Sequence, residues 1–391
     1  MQKMVKNSVA TMSALTLAML AAGCSSFSSL NPFGGDAPRN PPAALVDLKP
    51  SMAIKNAWTY SIGSAGTYSF SPAVAGDFVF IAAADGSLAK LDAATGKPVW
   101  RINVGKKLTG GVGVSIAGDV VTVAAEKGQI LVFDGNGKAR WTAQASSEVL
   151  APPAIGEGLV AVRSQDNKVQ AFDLESGARR WQVQRIAPPL TLRTPSGIVI
   201  DSGVVYVAMP GGRLLALAAN NGGARWEVAV GEPRGATELE RVTDLAGIPQ
   251  IAGREICAVS YQGKLACFDK TTGAPRWNKE MSSDVAVGMD ERFVFAADEK
   301  GAVSAFSRDG GRSVWRNDKL ANRRLSAPIS FGRAVAVGDF QGQIHFMSRE
   351  DGAFLARVAS DGSQIIGMPT VAGANLVLQT HNGAVVALTA Q

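Results

Sequence analysis

Residues able to do chemistry are few in this 391-residue chain. His345 and His381 are its only histidines, each on or beside a strand-sized run. A zinc site needs several clustered ligands, and no Cys/His cluster occurs. There is no Ser-His-Asp order, phosphate-binding P-loop or GxSxG elbow. The many Gly-x-x-x-Gly matches fall in turns. No catalytic residue, metal site or cofactor is therefore expected. Cys257 and Cys267 flank a hairpin turn at residues 261–263. A three-residue loop would set them face to face, as a disulfide needs. A two-residue loop would offset them by one and point them apart, so the spacing leaves both arrangements open. The formal charge is +6, and it falls to about +4 without Lys3 and Lys6, which lie in a segment expected to be removed. Basic residues do not cluster with aromatics, so nucleic acid is not an expected partner.

The third cysteine has a different chemistry. Lys3 and Lys6 make a positive start, and residues 9–22 are apolar and too short to span a bilayer comfortably. The run ends Leu20-Ala21-Ala22-Gly23-Cys24. Small residues before a single Cys resemble a bacterial lipobox, in which the Cys thiol is acylated and becomes the mature N-terminus. Residues 1–23 are thus read as a lipoprotein signal peptide. Residues 24–50, rich in Ser, Pro and Gly, are read as a lipidated flexible tether. At about 3 Å per residue it reaches roughly 75 Å. Ser25 follows the Cys where Asp would resemble an inner-membrane retention signal. The expected location is the outer membrane, facing the periplasm.

The rest of the chain is a repeat. Gly-x-apolar-x-x-apolar-polar occurs at Gly86, Gly128, Gly212, Gly263, Gly301, Gly342 and Gly383, and Asn167 starts an eighth copy. Gly and Asn tolerate the positive φ of a tight hairpin. A β-branched alternating run precedes each copy, so each pair reads as a hairpin. A polar turn then leads to Trp in six copies, at Trp100, Trp141, Trp181, Trp226, Trp277 and Trp315; Ala356 takes the place in the seventh. The period is near 40 residues with four strand-sized runs, which is one propeller blade. The eighth unit ends at Gln391 without a fourth strand. Residues 56–62 supply it from the other end of the chain, with Trp58 as its Trp, closing the ring and removing two open edges. The expectation is an all-β, eight-bladed propeller over residues 51–391.

Two connections are long. Trp spacings of 38 to 42 stretch to 45 between Trp181 and Trp226 and to 51 between Trp226 and Trp277. The excess falls in residues 184–196 and 231–249. Each follows an outermost strand and leads to the next innermost one, so both emerge on one face, one blade apart. Insertions on one face are where propellers bind partners.

The Gly–Trp unit resembles the repeat of pyrroloquinoline-quinone-binding dehydrogenases, which are also eight-bladed propellers. Those enzymes hold the quinone with Ca²⁺ on the axis and carry a vicinal Cys pair, which this chain lacks. A quinoprotein-type dehydrogenase is thus the alternative reading, and a periplasmic scaffold of another complex is a third. A closer resemblance, covering lipobox, tether, blades and both loops, is to the BamB family, the lipoprotein subunit of the outer-membrane β-barrel assembly machinery. Leu190-Thr191-Leu192-Arg193 is similar to the LxLR motif with which that family contacts the central barrel subunit, BamA. Residues 238–244 are similar to its acidic loop. The resemblance implies partner contacts at Leu190, Leu192, Arg193 and Asp244, with Glu238, Glu240 and Arg241 beside them. The family's second aspartate falls on Ala246, where Glu238 or Glu240 would substitute. It further implies a non-enzymatic scaffold without cofactor. The scaffold would be a monomer within a hetero-oligomeric complex. It would bind the periplasmic domains of a BamA-like subunit and aid insertion of outer-membrane proteins. Blade edges could also pair with nascent strands, although no residue marks that role.

Overall fold

The computed structural model describes residues 40–391 apart from Ala187, so the signal segment, Cys24 and most of the tether lie outside the described residues. The Gly-punctuated alternating runs form eight four-stranded antiparallel sheets. Seven blades span residues 73–103, 108–144, 154–184, 198–229, 250–280, 288–317 and 329–359. The eighth joins residues 370–390 to strand Ile54–Ser61, which pairs with the final strand from Ile54↔Ala390 to Ser61↔Ala384. The ring is therefore closed by its two ends, as expected from the missing fourth strand. Seven of the eight hairpin-starting residues are left-handed as the sequence required, including Asn167 at φ 60°; in the hairpin of Gly263 the neighbouring Gln262 takes that conformation instead.

The Trp repeat has a mechanical explanation. Each outer strand carries a bulge one residue before its Trp, which re-aims the indole toward the next blade. There it lies on the glycine of that blade's polar turn and donates its Nε1–H to a turn carbonyl. Trp58 bonds Ala93 O at 2.9 Å, Trp181 bonds Ala219 O at 2.7 Å and Trp315 bonds Arg349 O at 2.8 Å. The glycine is needed for φ and for closeness: Gly311 has φ +67°, and a Cβ there would stand 2.4 Å from the Trp277 ring. So the Trp of one blade and the Gly of the next form one inter-blade rivet, and the Trp series is packing.

Blade seven has Ala356 at the Trp position, and the gap is filled from the N-terminus. Residues 43–52 run along this blade as a strap. The carbonyl of the bulged Leu355 accepts from the amides of Ser51 (2.9 Å) and Met52 (3.2 Å). Met52 is buried in the same apolar cluster as Ala356. At the far end the Ala43 amide donates to Ala321 O at 2.8 Å. Beneath the strap lies a buried polar group. Asp339 accepts from Arg323 Nε (2.7 Å) and contacts His345 Nε2 (3.0 Å), and Arg357 Nε meets His345 Nδ1 (3.2 Å). Arg323 also donates to Ala43 O (3.0 Å) and Arg357 to Val46 O (3.1 Å), so strap carbonyls accept from both guanidiniums. Ala43 and Val46, which make these contacts with the propeller, thus lie within the stretch that composition alone assigns to the tether.

Cys257 and Cys267 are directly paired across their hairpin and form a disulfide. Residues 261–263 make the three-residue loop, with Gln262 left-handed at φ 48°. Of the two arrangements the sequence allows, this is the one that sets the thiols face to face.

Candidate docking face

Both long connections emerge on one face and are stitched together at their roots. The Gly197 amide donates to Gly247 O at 3.0 Å, and Ser196 Oγ donates to Leu245 O. The carboxylate of Asp244 accepts from the amides of Leu192 (2.5 Å) and Gly211 (2.9 Å). Beneath it Arg163, 6% exposed, bonds Ser196 O at 3.3 Å. Burial pushes the Arg163 guanidinium down to about 10, and the nearby Asp244 charge opposes that shift. The tip of the second loop folds on itself. Thr237 Oγ1 accepts from the Glu240 amide, and Glu240 Oε2 accepts from the amides of Ala236 (2.8 Å) and Thr237 (3.0 Å). This reciprocal pattern is a capping box around a single turn. The amides of Thr237 and Ala236 hold the Glu240 carboxyl below its ordinary range.

A groove of about 570 Å³ lies between the loops, with Leu190, Pro188 and Met209 on its walls and Glu238 and Arg241 at its edge. Ile186, also on the groove, is 97% exposed, and Leu239 on the second loop is 71% exposed. Seven large apolar side chains are exposed among the described residues; three of them, Ile186, Leu190 and Leu239, sit on these two loops. That concentration sets the two loops apart, since scattered single apolar residues would be ordinary.

Arg193 is exposed but held. Its Nη2 donates to Glu148 Oε2 at 3.0 Å, Tyr68 Oη donates to Glu148 Oε1 at 3.1 Å, and the guanidinium stands 5.3 Å from the Tyr68 ring centre. The Glu148 bond raises the Arg193 pKa, keeping its charge fixed. Burial, with the Glu148 charge, raises that of the Tyr68 hydroxyl. Tyr68, Glu148 and Arg193 precede blades one, three and four, so the side chain is steadied by loops from several blades.

The structure brings together most of the residues expected from sequence, but in different roles. Leu190 and Arg193 are exposed and Leu192 is half-buried. Glu238 and Arg241 are exposed and 3.8 Å apart as an ion pair. Glu240 is exposed but engaged in its own turn. Asp244, expected from the family resemblance as a partner contact, is 3% exposed, and its carboxylate faces inward, accepting from the Leu192 amide of the first loop and the Gly211 amide of blade four's inner hairpin. It therefore shapes the face and offers no surface charge. Ala246 is also buried, against Val259 and Trp277, so no acidic surface group is lost there. Sequence reasoning missed Tyr68, Glu148, Ile186 and Leu239. Ile186 and Leu239 were visible as apolar residues inside polar insertions; Tyr68 and Glu148 meet Arg193 only through the ring.

Ring and loops define a class: an eight-bladed repeat propeller with one face elaborated by two long loops. Quinohemoprotein alcohol dehydrogenase from Comamonas testosteroni shares the fold at 12% identity and TM-score 0.66, covering 86% of this chain and 76% of that one. The crystal structure of BamB from Moraxella catarrhalis matches with TM-score 0.79 and 27% identity, over 86% of this chain and all (100%) of that one. The family model described as "Outer membrane protein assembly factor BamB" matches residues 84–317 and 299–391. Proteins of that name from Bordetella pertussis (43% identity, 96% of each chain) and Burkholderia pseudomallei (40% identity, 89% of this chain and 91% of that one) align along the sequence. The chain belongs to the BamB family of outer-membrane protein assembly factors.

Proposed function

We propose that this protein is a non-enzymatic scaffold of outer-membrane β-barrel assembly. It docks its loop-bearing face onto the periplasmic domains of a BamA-like barrel subunit, is held to the outer membrane by a lipid on Cys24, and aids insertion of client barrels. The observation that carries the docking reading is the exposed apolar pair Ile186 and Leu190 on the groove, with Leu239 exposed on the second loop and the held cation of Arg193 on the first. Binding energy concentrates where apolar anchors and an oriented Arg lie together and exclude water. Leu190 and Leu192 supply the apolar contact. Arg193 supplies a charge-assisted hydrogen bond to a partner carboxylate, which either displaces Glu148 or joins it. Glu238 and Arg241 form the polar rim. Asp244 acts through the backbone by keeping the two loops in register.

The test is in-cell photocross-linking. A photoreactive amino acid at Leu190 should capture the barrel subunit. The same residue at Val99, which is 53% exposed on the outer strand of blade one, should not. Equal capture from both positions, or none from Leu190, contradicts the reading.

A further inference from the structure

A second cavity, of about 530 Å³, opens at the mouth of the ring axis on the loop-bearing face, and residues from all eight blades surround it. It shares a wall with the docking groove: Leu190 faces the groove, while Arg193, Thr194 and Pro195 of the same loop line the axial mouth. On the opposite side stands Arg324, in the connection from blade six to blade seven. Arg324 is left-handed at φ 46°, and so is Asn322 at φ 59°. Two non-glycine residues so close together in that region are uncommon and need a reason. The connection is clamped from below, by Arg323 on Asp339 and Ala43 O and by the Asn322 amide on Lys300 O (2.8 Å). Arg324 points instead to the mouth. Its guanidinium is exposed and has no hydrogen bond or ion pair with any described residue. Asp284, on the neighbouring connection into blade six, also lines the mouth, exposed and unpaired among the described residues. Ile366, 38% exposed, adds an apolar wall.

We propose that the axial mouth is a second docking site, continuous with the groove. It receives a protruding turn of the same partner, with an apolar tip against Ile366, a carboxylate for Arg324 and a cation for Asp284. Unlike charges on adjacent loops fix the direction in which such a turn enters. The inference rests on the docking reading above.

The test uses the full-length lipoprotein in cells. A photoreactive amino acid at Ile366 is compared with one at Leu190, and intact complexes carrying Arg324→Glu or Arg324→Lys are titrated. The expected results are barrel-subunit adducts from both positions, an affinity about tenfold weaker for Arg324→Glu at low salt, and one within about threefold of wild type for Arg324→Lys. Adducts from Leu190 but not from Ile366 overturn the axial site and leave the docking reading standing. So does capture at Ile366 of a client chain or a second copy, or wild-type affinity in Arg324→Glu. No subunit adduct from either position overturns both.

Discussion

Replacing Asp339 with Ala is expected to lower the unfolding free energy by about 3–5 kcal/mol, because it leaves Arg323 buried and uncompensated. Asp339 is fully buried and Arg323 is 2% exposed. The same carboxylate accepts from the amides of Gln341 (2.8 Å) and Gln343 (3.0 Å) and contacts His345. Its loss also frees the strap, since Arg323 is the residue that holds Ala43 O. Asp298, the corresponding residue of blade six, is the control. It caps its hairpin in the same way, but its ion-pair partner Arg316 is largely exposed, so Asp298→Ala should cost clearly less. The urea midpoints of the two variants check this; equal midpoints would contradict the role given to the buried group. The same group makes blade seven acid-sensitive. Burial holds His345 below its ordinary value of 6.5, and the Asp339 bond only partly offsets this. For Asp339 burial works upward, but bonds from His345, the Gln343 amide and Arg323 outweigh it and hold the carboxyl below 3.8. The unfolded chain binds the proton that folded His345 refuses, so wild-type stability should fall as pH drops below 6.5. A second loss follows below the ordinary carboxyl value, as Asp339 is protonated.

Asp244→Ala is expected to weaken docking about tenfold, although Asp244 touches no surface, and to cost about 2–4 kcal/mol of stability. The Leu192 amide of the first loop and the Gly211 amide of blade four's hairpin lose their acceptor, and the deeply buried Arg163 loses its nearby anion. Register between the loops then slackens, and with it the spacing of Leu190 from the second loop's tip. Asp244→Asn keeps an acceptor oxygen and should recover part of both losses. Hydrogen exchange separates positioning from contact: the Leu192 amide should exchange faster in the free Ala variant than in the free wild type. Unchanged exchange together with lost binding would instead mean that Asp244 meets the partner itself.

Most of the architecture was legible because propeller repeats are local. Each hairpin, each Gly turn and each Trp recurs within one period, and Trp58 stood out only because the last blade lacked a strand. The two insertions were legible as excess length between Trp181, Trp226 and Trp277. What escaped was whatever depends on the ring bringing distant residues together. Tyr68 and Glu148 reach Arg193 across 125 and 45 residues of sequence, respectively. The strap at Ala43 finds Arg323 only after the ring closes, and its Pro-rich composition reads as tether. Asp244 misled for a different reason: an acidic residue in a polar loop looks like surface charge until the backbone amides that need an acceptor are located.

If this face docks through Arg193 and its loop, reversing the Arg193 charge must weaken the complex without unfolding the propeller. The most direct measurement is the affinity of the intact lipoprotein, in detergent, for the BamA-like subunit, comparing wild type with Arg193→Glu. The change sets a carboxylate against Glu148 and against any partner anion, on a side chain that carries no core packing. Affinity about 100-fold weaker with an unchanged thermal midpoint is expected. An affinity within about threefold of wild type, in a variant that is folded, would contradict it.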